Sequence, residues 1–261
     1  MTATLKTRTD TRGVAYVTLN KPEVHNAFDA ALVGELTALL KKHEANPKVR
    51  LVVLAAEGKS FSAGADLRWM REMSLYSEEQ NLADARALAG LMATLDRLAK
   101  PTLALVRGPA YGGGVGLIAC CDIALAVDSA TFALTEVRLG LVPAVISPYV
   151  IAAIGARAAR RYFLTAERFS AIEAEALGLV HLVVTSSALE DTADKIVCAL
   201  LAGGPAALAE AKRLVPFVAA RPGDRTLDEE LAALIARIRA GAEGKEGLSA
   251  FLEKRKPRWQ G

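Results

Sequence analysis

The 261-residue chain is expected to fold as an α/β protein with a helical C-terminal region. Two observations predict this. Strand-like and helical segments alternate along the first part of the chain, and the pattern becomes purely helical after about Ser186. The boundary is placed near residue 195, giving an α/β body over 1–195 and a helical region over 196–261. No fixed-period repeat and no low-complexity segment interrupts the pattern.

The alternation begins with "VAYVTLN", Val14 to Asn20, rich in β-branched residues and read as a strand. "NAFDAALVGELTALLKKHEAN" follows with helical periodicity after a cap at Asp29. "VRLVVLAAEG" from Val49 is a near-continuously apolar strand, and the Ser/Gly loop "KSFSAGAD" leads to a long helix starting near Ser77. Ser77 and Gln80 have capping-box spacing there, and Pro101 closes the segment. "TLALVRG" and "IALAV" are short buried strands on either side of a glycine-rich stretch whose continuation, "GVGLIACC", reads as an interior helix. Ser170 and Glu173 form a second capping box, with Gly178 as a C-terminal stop before the strand "LVHLVV".

Composition excludes several classes. Thirty-two basic against 29 acidic residues leave a formal charge of +3, too small and dispersed for nucleic acid to be the main partner. Cys120, Cys121 and Cys198 suggest neither a disulfide framework nor zinc-ligand spacing, which fits a reducing cytoplasm. The N-terminus lacks the apolar core of a signal peptide. The uncharged run from Leu139 to Ala156 contains Pro143, Ser147 and Pro148, and is read as a buried turn and a buried helix, not a membrane span.

Two glycine-rich loops, "FSAGADL" at 61–67 and "YGGGVGL" at 111–117, each follow a strand and precede a helix. Backbone N–H groups at such helix starts can hold a developing anion, as in an oxyanion hole, although tight turns alone would produce the same composition. No Walker loop, GxGxxG fingerprint or GxSxG elbow is present, and His25, His43 and His181 have no partner recognisable by spacing.

The collinear order "NKPEVHNAF", "FSAGADL", "KPTLALVRGPAYGGGVGLIACCDIALA", "FALTEVRLGLVP", "ARRYFLTAERFSAIEAEALGLVHLVV" and "FLEKRKP" resembles the enoyl-CoA hydratase/isomerase (crotonase) superfamily over nearly the whole chain. The resemblance implies a spiral of ββα units with a C-terminal helical trimerisation region, trimers or hexamers, and an acyl-CoA substrate in which CoA is part of the substrate and not a retained cofactor. No metal is expected. It places oxyanion-hole amides at Ala65 and Gly113. It places the CoA arm by His25 and Ala27, its adenine by Ala63, Asp66 and Leu67, and a neighbouring subunit's CoA by Phe251 and Lys254. A solvated basic tail would account equally for the last pair.

Many hydratases of this family use two glutamates. Glu136 stands at the acid/base position, while the other position falls on Gly116, which cannot move a proton. A single-glutamate hydratase is the reading adopted, against a surface or Arg138-paired glutamate. A second departure is "PAVISPYV", where relatives have a glycine-rich turn. Ala144 is expected to supply a water-placing amide there, and Val145, Ile146 and Pro148 a bulkier pocket wall.

The wording is most similar to bacterial methylglutaconyl-CoA hydratases of leucine and isovalerate breakdown, followed by isohexenylglutaconyl-CoA hydratase and generic short-chain enoyl-CoA hydratases. A distal carboxylate on such a substrate could meet Arg138 or hold water at the position left open by Gly116. An isomerase, a thioester hydrolase, a decarboxylase and a non-catalytic CoA- or RNA-binding oligomer are the competing classes.

Overall fold

A computed structural model describes residues 3–260. In chain order the elements are β1 (Leu5–Thr9), β2 (Val14–Leu19), α1 (Ala30–Ala45), β3 (Leu51–Ala56), α2 (Leu67–Met73), α3 (Glu78–Asp96), β4 (Thr102–Val106), β5 (Ala110–Tyr111) and α4 (Gly113–Ala119). They continue with β6 (Ile123–Val127), β7 (Thr131–Ala133), α5 (Ser147–Thr165), β8 (Phe169–Ser170), α6 (Ala171–Leu177) and β9 (Leu182–Val184). Helices α7 (Leu189–Ala202), α8 (Pro205–Ala219), α9 (Leu227–Ala240) and α10 (Ala242–Leu252) close the chain.

The expected α/β class is the one observed. A six-stranded sheet has the order β1-β2-β3-β4-β6-β9, antiparallel only at β1. Its inner strands carry unbroken apolar runs because both faces are covered, and Val52, Leu103, Ala104 and Leu125 are fully shielded from solvent. A small sheet, β5-β7-β8, lies beside the glycine-rich loop. Two compact units are distinguished. The first ends at Leu98 and resumes over Thr102–Ala193; the second combines Ala99–Pro101 with the chain from Asp194 onward.

Local signals in the sequence have the expected physical form. The Ser77–Gln80 and Ser170–Glu173 capping boxes are both closed in each direction. Gly178 ends α6 at φ 89°, and the Asp29 side chain accepts from the Leu32 N–H at the start of α1. The second unit has its own ties: the Glu243 carboxylate accepts from the Ala206 and Ala207 amides (3.0 and 2.7 Å) at the start of α8.

The segment 139–156 differs from expectation. Leu139, Leu141 and Val142 are 57, 57 and 69 % exposed, so the turn is not buried. Helix α5 is amphipathic, hiding Val150, Ile154, Ala159 and Tyr162 while Ile151 faces outward. The physical reason is that the turn forms one wall of an open cavity, described below. His43 and His181 serve packing between elements: the His43 ring lies 3.2 Å from the Thr7 hydroxyl, and the His181 ring accepts from the Ala124 N–H.

Asp29 joins fold to site, because it caps α1 and also forms an ion pair with Lys21 across the loop that leads into the helix. Asp29→Ala is expected to lower stability by about 1–2 kcal/mol, as for other lost N-caps. Urea unfolding should show a reduced midpoint with an unchanged slope.

Candidate active site

The site is assembled from two loops sewn together by one asparagine. Asn26 is fully buried at φ 53°. Its side-chain amide donates to the Glu57 and Ser60 carbonyls, each at 2.8 Å, while its side-chain oxygen accepts from the Lys21 N–H. The buried Ser62 hydroxyl donates to the Asn26 carbonyl (2.9 Å) and accepts from the Gly64 amide. His25 adds its carbonyl to Ala63 N–H and its ring to the Ser60 hydroxyl. All three polar groups of the Asn26 side chain are thereby satisfied, which fixes the otherwise strained left-handed turn at His25 and Asn26.

Phe28 then sets the orientation of the Ala65 amide. Its N–H donates to Gly64 C=O at 2.7 Å, and its C=O accepts from Asp66 N–H at 2.7 Å, a one-residue parallel bridge with Ala65. Because polar groups alternate sides along an extended chain, the Ala65 N–H points away from Phe28. Gly113 opens α4, where a first-turn N–H has no intrahelical acceptor. Among the described residues neither amide has an acceptor, and both residues line one cavity.

Each member of the glycine triplet has its own steric reason. At Gly112 (φ 50°) a Cβ would lie 3.1 Å from Glu136 Oε1. At Gly113 it would lie 2.5 Å from the Phe28 ring, and at Gly114 2.9 Å from Ser62 Cβ. Side chains at these positions would push the two loops and the carboxylate apart.

The cavity holds about 400 Å³, with Glu136, Thr135, Phe28, Leu139 and the turn residues Leu141 to Ile146 in its walls along with parts of α2 and α3. Glu136 is half-buried at the start of a short 3-10 turn, residues 136–139. Its Oε2 is inaccessible and makes no hydrogen bond in the chain. Burial pushes its carboxyl above the usual glutamate range, partly opposed by its own backbone amide. Arg138 is exposed and does not line the cavity, so the Arg138-paired reading of Glu136 finds no support.

The space beside Gly116, where the resemblance places a glutamate, is filled. A Cβ there would stand 2.3 Å from Ile146 Cγ2 and 3.3 Å from Met92 Cε. Ile146 is 3 % exposed and Met92 fully buried. The two departures from the family pattern, Gly116 and the "PAVISPYV" turn, are therefore a single packing feature. The expectation that Gly116 leaves an opening for water is corrected: an isoleucine side chain occupies it.

Among the other expected site residues, Ala63 and Ala144 line the cavity, but the Ala144 amide is committed to the Val142 carbonyl at 2.8 Å. The tight turn at Pro143 uses that amide, so it does not hold water as expected. Asp66 caps α2 by accepting from the Arg68 and Trp69 amides, and lines a second cavity of about 570 Å³ with Lys21, Asp29, Arg68 and Trp69. His25 and Leu67 are exposed, whereas Ala27 is buried. Phe251, 81 % exposed, and Lys254, at φ 56°, sit at the end of α10 in the second unit. Sequence reasoning missed Phe28, Asn26, Ser62 and Arg68; the asparagine beside His25 in "EVHNAF" was the available signal.

A half-buried carboxyl in one cavity with two unsatisfied amides makes an enzyme site that can carry a proton next to a developing oxyanion. The chain belongs to the enoyl-CoA hydratase/isomerase family, whose pattern it matches over residues 9–261. It is similar to the crystal structure of an enoyl-CoA hydratase from Shewanella pealeana (46 % identity, TM-score 0.95, covering 98 % of this chain and 96 % of that one). AtuE of Pseudomonas aeruginosa is 37 % identical with a TM-score of 0.93 over 99 % of this chain and all of that one. The enoyl-CoA hydratase ACTT6 of Alternaria alternata is 34 % identical over 92 % of this chain and 78 % of its own length.

Gly116→Glu should cost about 1–3 kcal/mol through overpacking against Ile146. Combining it with Ile146→Ala should recover most of that loss in thermal denaturation. Equal destabilisation by single and double variants would show that Ile146 is not what excludes the side chain.

Proposed function

We propose that this chain is an enoyl-CoA hydratase that works with one carboxyl group, Glu136. The observation that carries the reading is the half-buried carboxyl, its Oε2 without a partner, in the same cavity as the free Ala65 and Gly113 amides. The Glu136 carboxylate takes a proton from water as the water oxygen bonds to C3 of the enoyl thioester. The C2–C3 π electrons move toward the thioester, and the two N–H dipoles hold the resulting enolate oxygen. Glu136 then returns the proton to C2, and the carbonyl re-forms. Fixed donors of this kind contribute about 2.7–4 kcal/mol each in comparable sites.

The second cavity, with Lys21 and Arg68 in its wall, would take the phosphate-bearing part of CoA near Asp66, with His25, Ala27 and Leu67 flanking it. Phe251 and Lys254 would serve the CoA of a neighbouring subunit in a trimer or hexamer. Cytoplasmic location is part of the same reading, and no single helix among the described residues is long and apolar enough to cross a membrane.

For the acyl group we propose 3-methylglutaconyl, on the similarity of "PAVISPYV" and its neighbours to that subgroup. A generic short-chain enoyl substrate is favoured by a different observation: among the described residues no lysine or arginine lines the cavity that holds Glu136.

Loss of the 2-enoyl absorbance should be followed for 3-methylglutaconyl-CoA and crotonyl-CoA. Glu136→Gln is expected to lower kcat about 10²–10⁴-fold, as for other lost general bases; retained turnover would overturn the reading. The base must be ionised, so kcat/KM should fall as pH drops through the Glu136 pKa. Since burial raises that pKa, the acid limb should be centred above the ordinary value of 4.5.

A further inference from the structure

Helix α2 is the partition between the two cavities described above. Arg68 and Glu72 line the one near Asp66, Met70 and Met73 line the one that holds Glu136, and Trp69 contributes to both. Of the seven residues of α2, Trp69 alone is buried, at 5 % exposure. A helix of two turns has no stability of its own in water, so its position is set by what ties it down.

Polar ties hold it at its start, past its end and in its middle. At the start, the Asp66 side chain accepts from the Arg68 and Trp69 amides (2.8 and 3.3 Å), next to the pairing of Asp66 with Phe28. Past the end, the Asn81 side-chain amide donates to the Tyr76 carbonyl at 3.3 Å and steadies the connection to α3. In the middle, the Trp69 indole nitrogen is shut off from solvent, and the Asp84 carboxylate is its acceptor. Burial pushes the Asp84 carboxyl above its usual range, and the bond from the indole opposes that rise. Asn81, Asp84, Ala85 and Leu88 recur at three- and four-residue spacing along the face of α3 that lines the cavity, and Leu91, Met92 and Leu95 continue the stripe into the core. Asp84 is thus carried by a helix whose far end is firmly anchored.

Resting on the hydratase reading above, we infer that Trp69 and Asp84 form a positioning pair that pins α2 to α3 and so fixes the wall of Met70 and Met73 against which the acyl chain packs. Neither residue touches a reacting atom in this assignment. Without the pin, α2 keeps its ties at Asp66 and Asn81, and the Ala65 amide stays oriented by Phe28. The loss therefore falls on the acyl wall and spares the oxyanion donors.

The test uses two unreactive, saturated thioesters, acetyl-CoA and isovaleryl-CoA, which share the CoA part and differ in the apolar chain. Their Kd values would be measured by calorimetry on the intact protein, so the result does not depend on turnover. Wild type is expected to bind isovaleryl-CoA more tightly. Trp69→Phe, which keeps the ring and removes the N–H, and Asp84→Ala should each shrink that difference about fivefold, the scale of one hydrogen bond, while acetyl-CoA binding changes little. Asp84→Asn keeps an oxygen to accept from the indole and should retain most of the difference. Absence of a wild-type difference, a difference unchanged in both Trp69→Phe and Asp84→Ala, or equal weakening of both thioesters alongside a lowered thermal midpoint would overturn the assignment. Failure of Glu136-dependent hydration with the binding pattern as expected would overturn only the hydratase reading.

Discussion

The placement of Phe28 is the constraint on which the site depends. Its backbone pairs with Gly64 and Asp66, turning the Ala65 amide outward, while its ring lies against the α carbon of Gly113. One residue thus sets the spacing of both candidate oxyanion donors. Asn26 and Ser62 hold the turn that delivers Phe28, and the parallel strands β3 and β4 hold the loops that receive it. The donors are aligned before substrate arrives, so little reorganisation is left for the reaction itself.

Around that frame the site combines features that oppose stability. Glu136 is half-buried, with its Oε2 hidden and without a hydrogen-bond partner among the described residues. Residues 139 to 142 expose three large apolar side chains on the cavity wall. Each is unfavourable in the protein as it stands. The large, fully covered parallel sheet supplies the compensating burial in the same unit.

Much of the fold was legible because periodicity and caps are local properties. The long helices α1 and α3, the apolar strands β2, β3, β4 and β6, and both capping boxes could be read directly. Strands of two or three residues, such as β5, β7 and β8, are too short to show a period, and they arise from pairing beside the glycine loop. Helix α2, seven residues long, is too short to show a period as well. At the site, Glu136 and the two loops could be named from motif order. That Ile146 fills the space beside Gly116 could not be read, because the contact joins distant segments and sequence shows residue types without their partners. The same limit hid Phe28, whose role comes from which way it turns another residue's amide.

The contact between Gly116 and Ile146 has a consequence for how such a pocket can change over generations. A lone exchange at 116 meets an isoleucine already in place, and a lone exchange at 146 leaves a void against a glycine. Single steps in either direction pass through a less stable protein. A larger side chain at 116 is therefore tolerated best when it arrives with a smaller one at 146, so the two positions are expected to change as a pair.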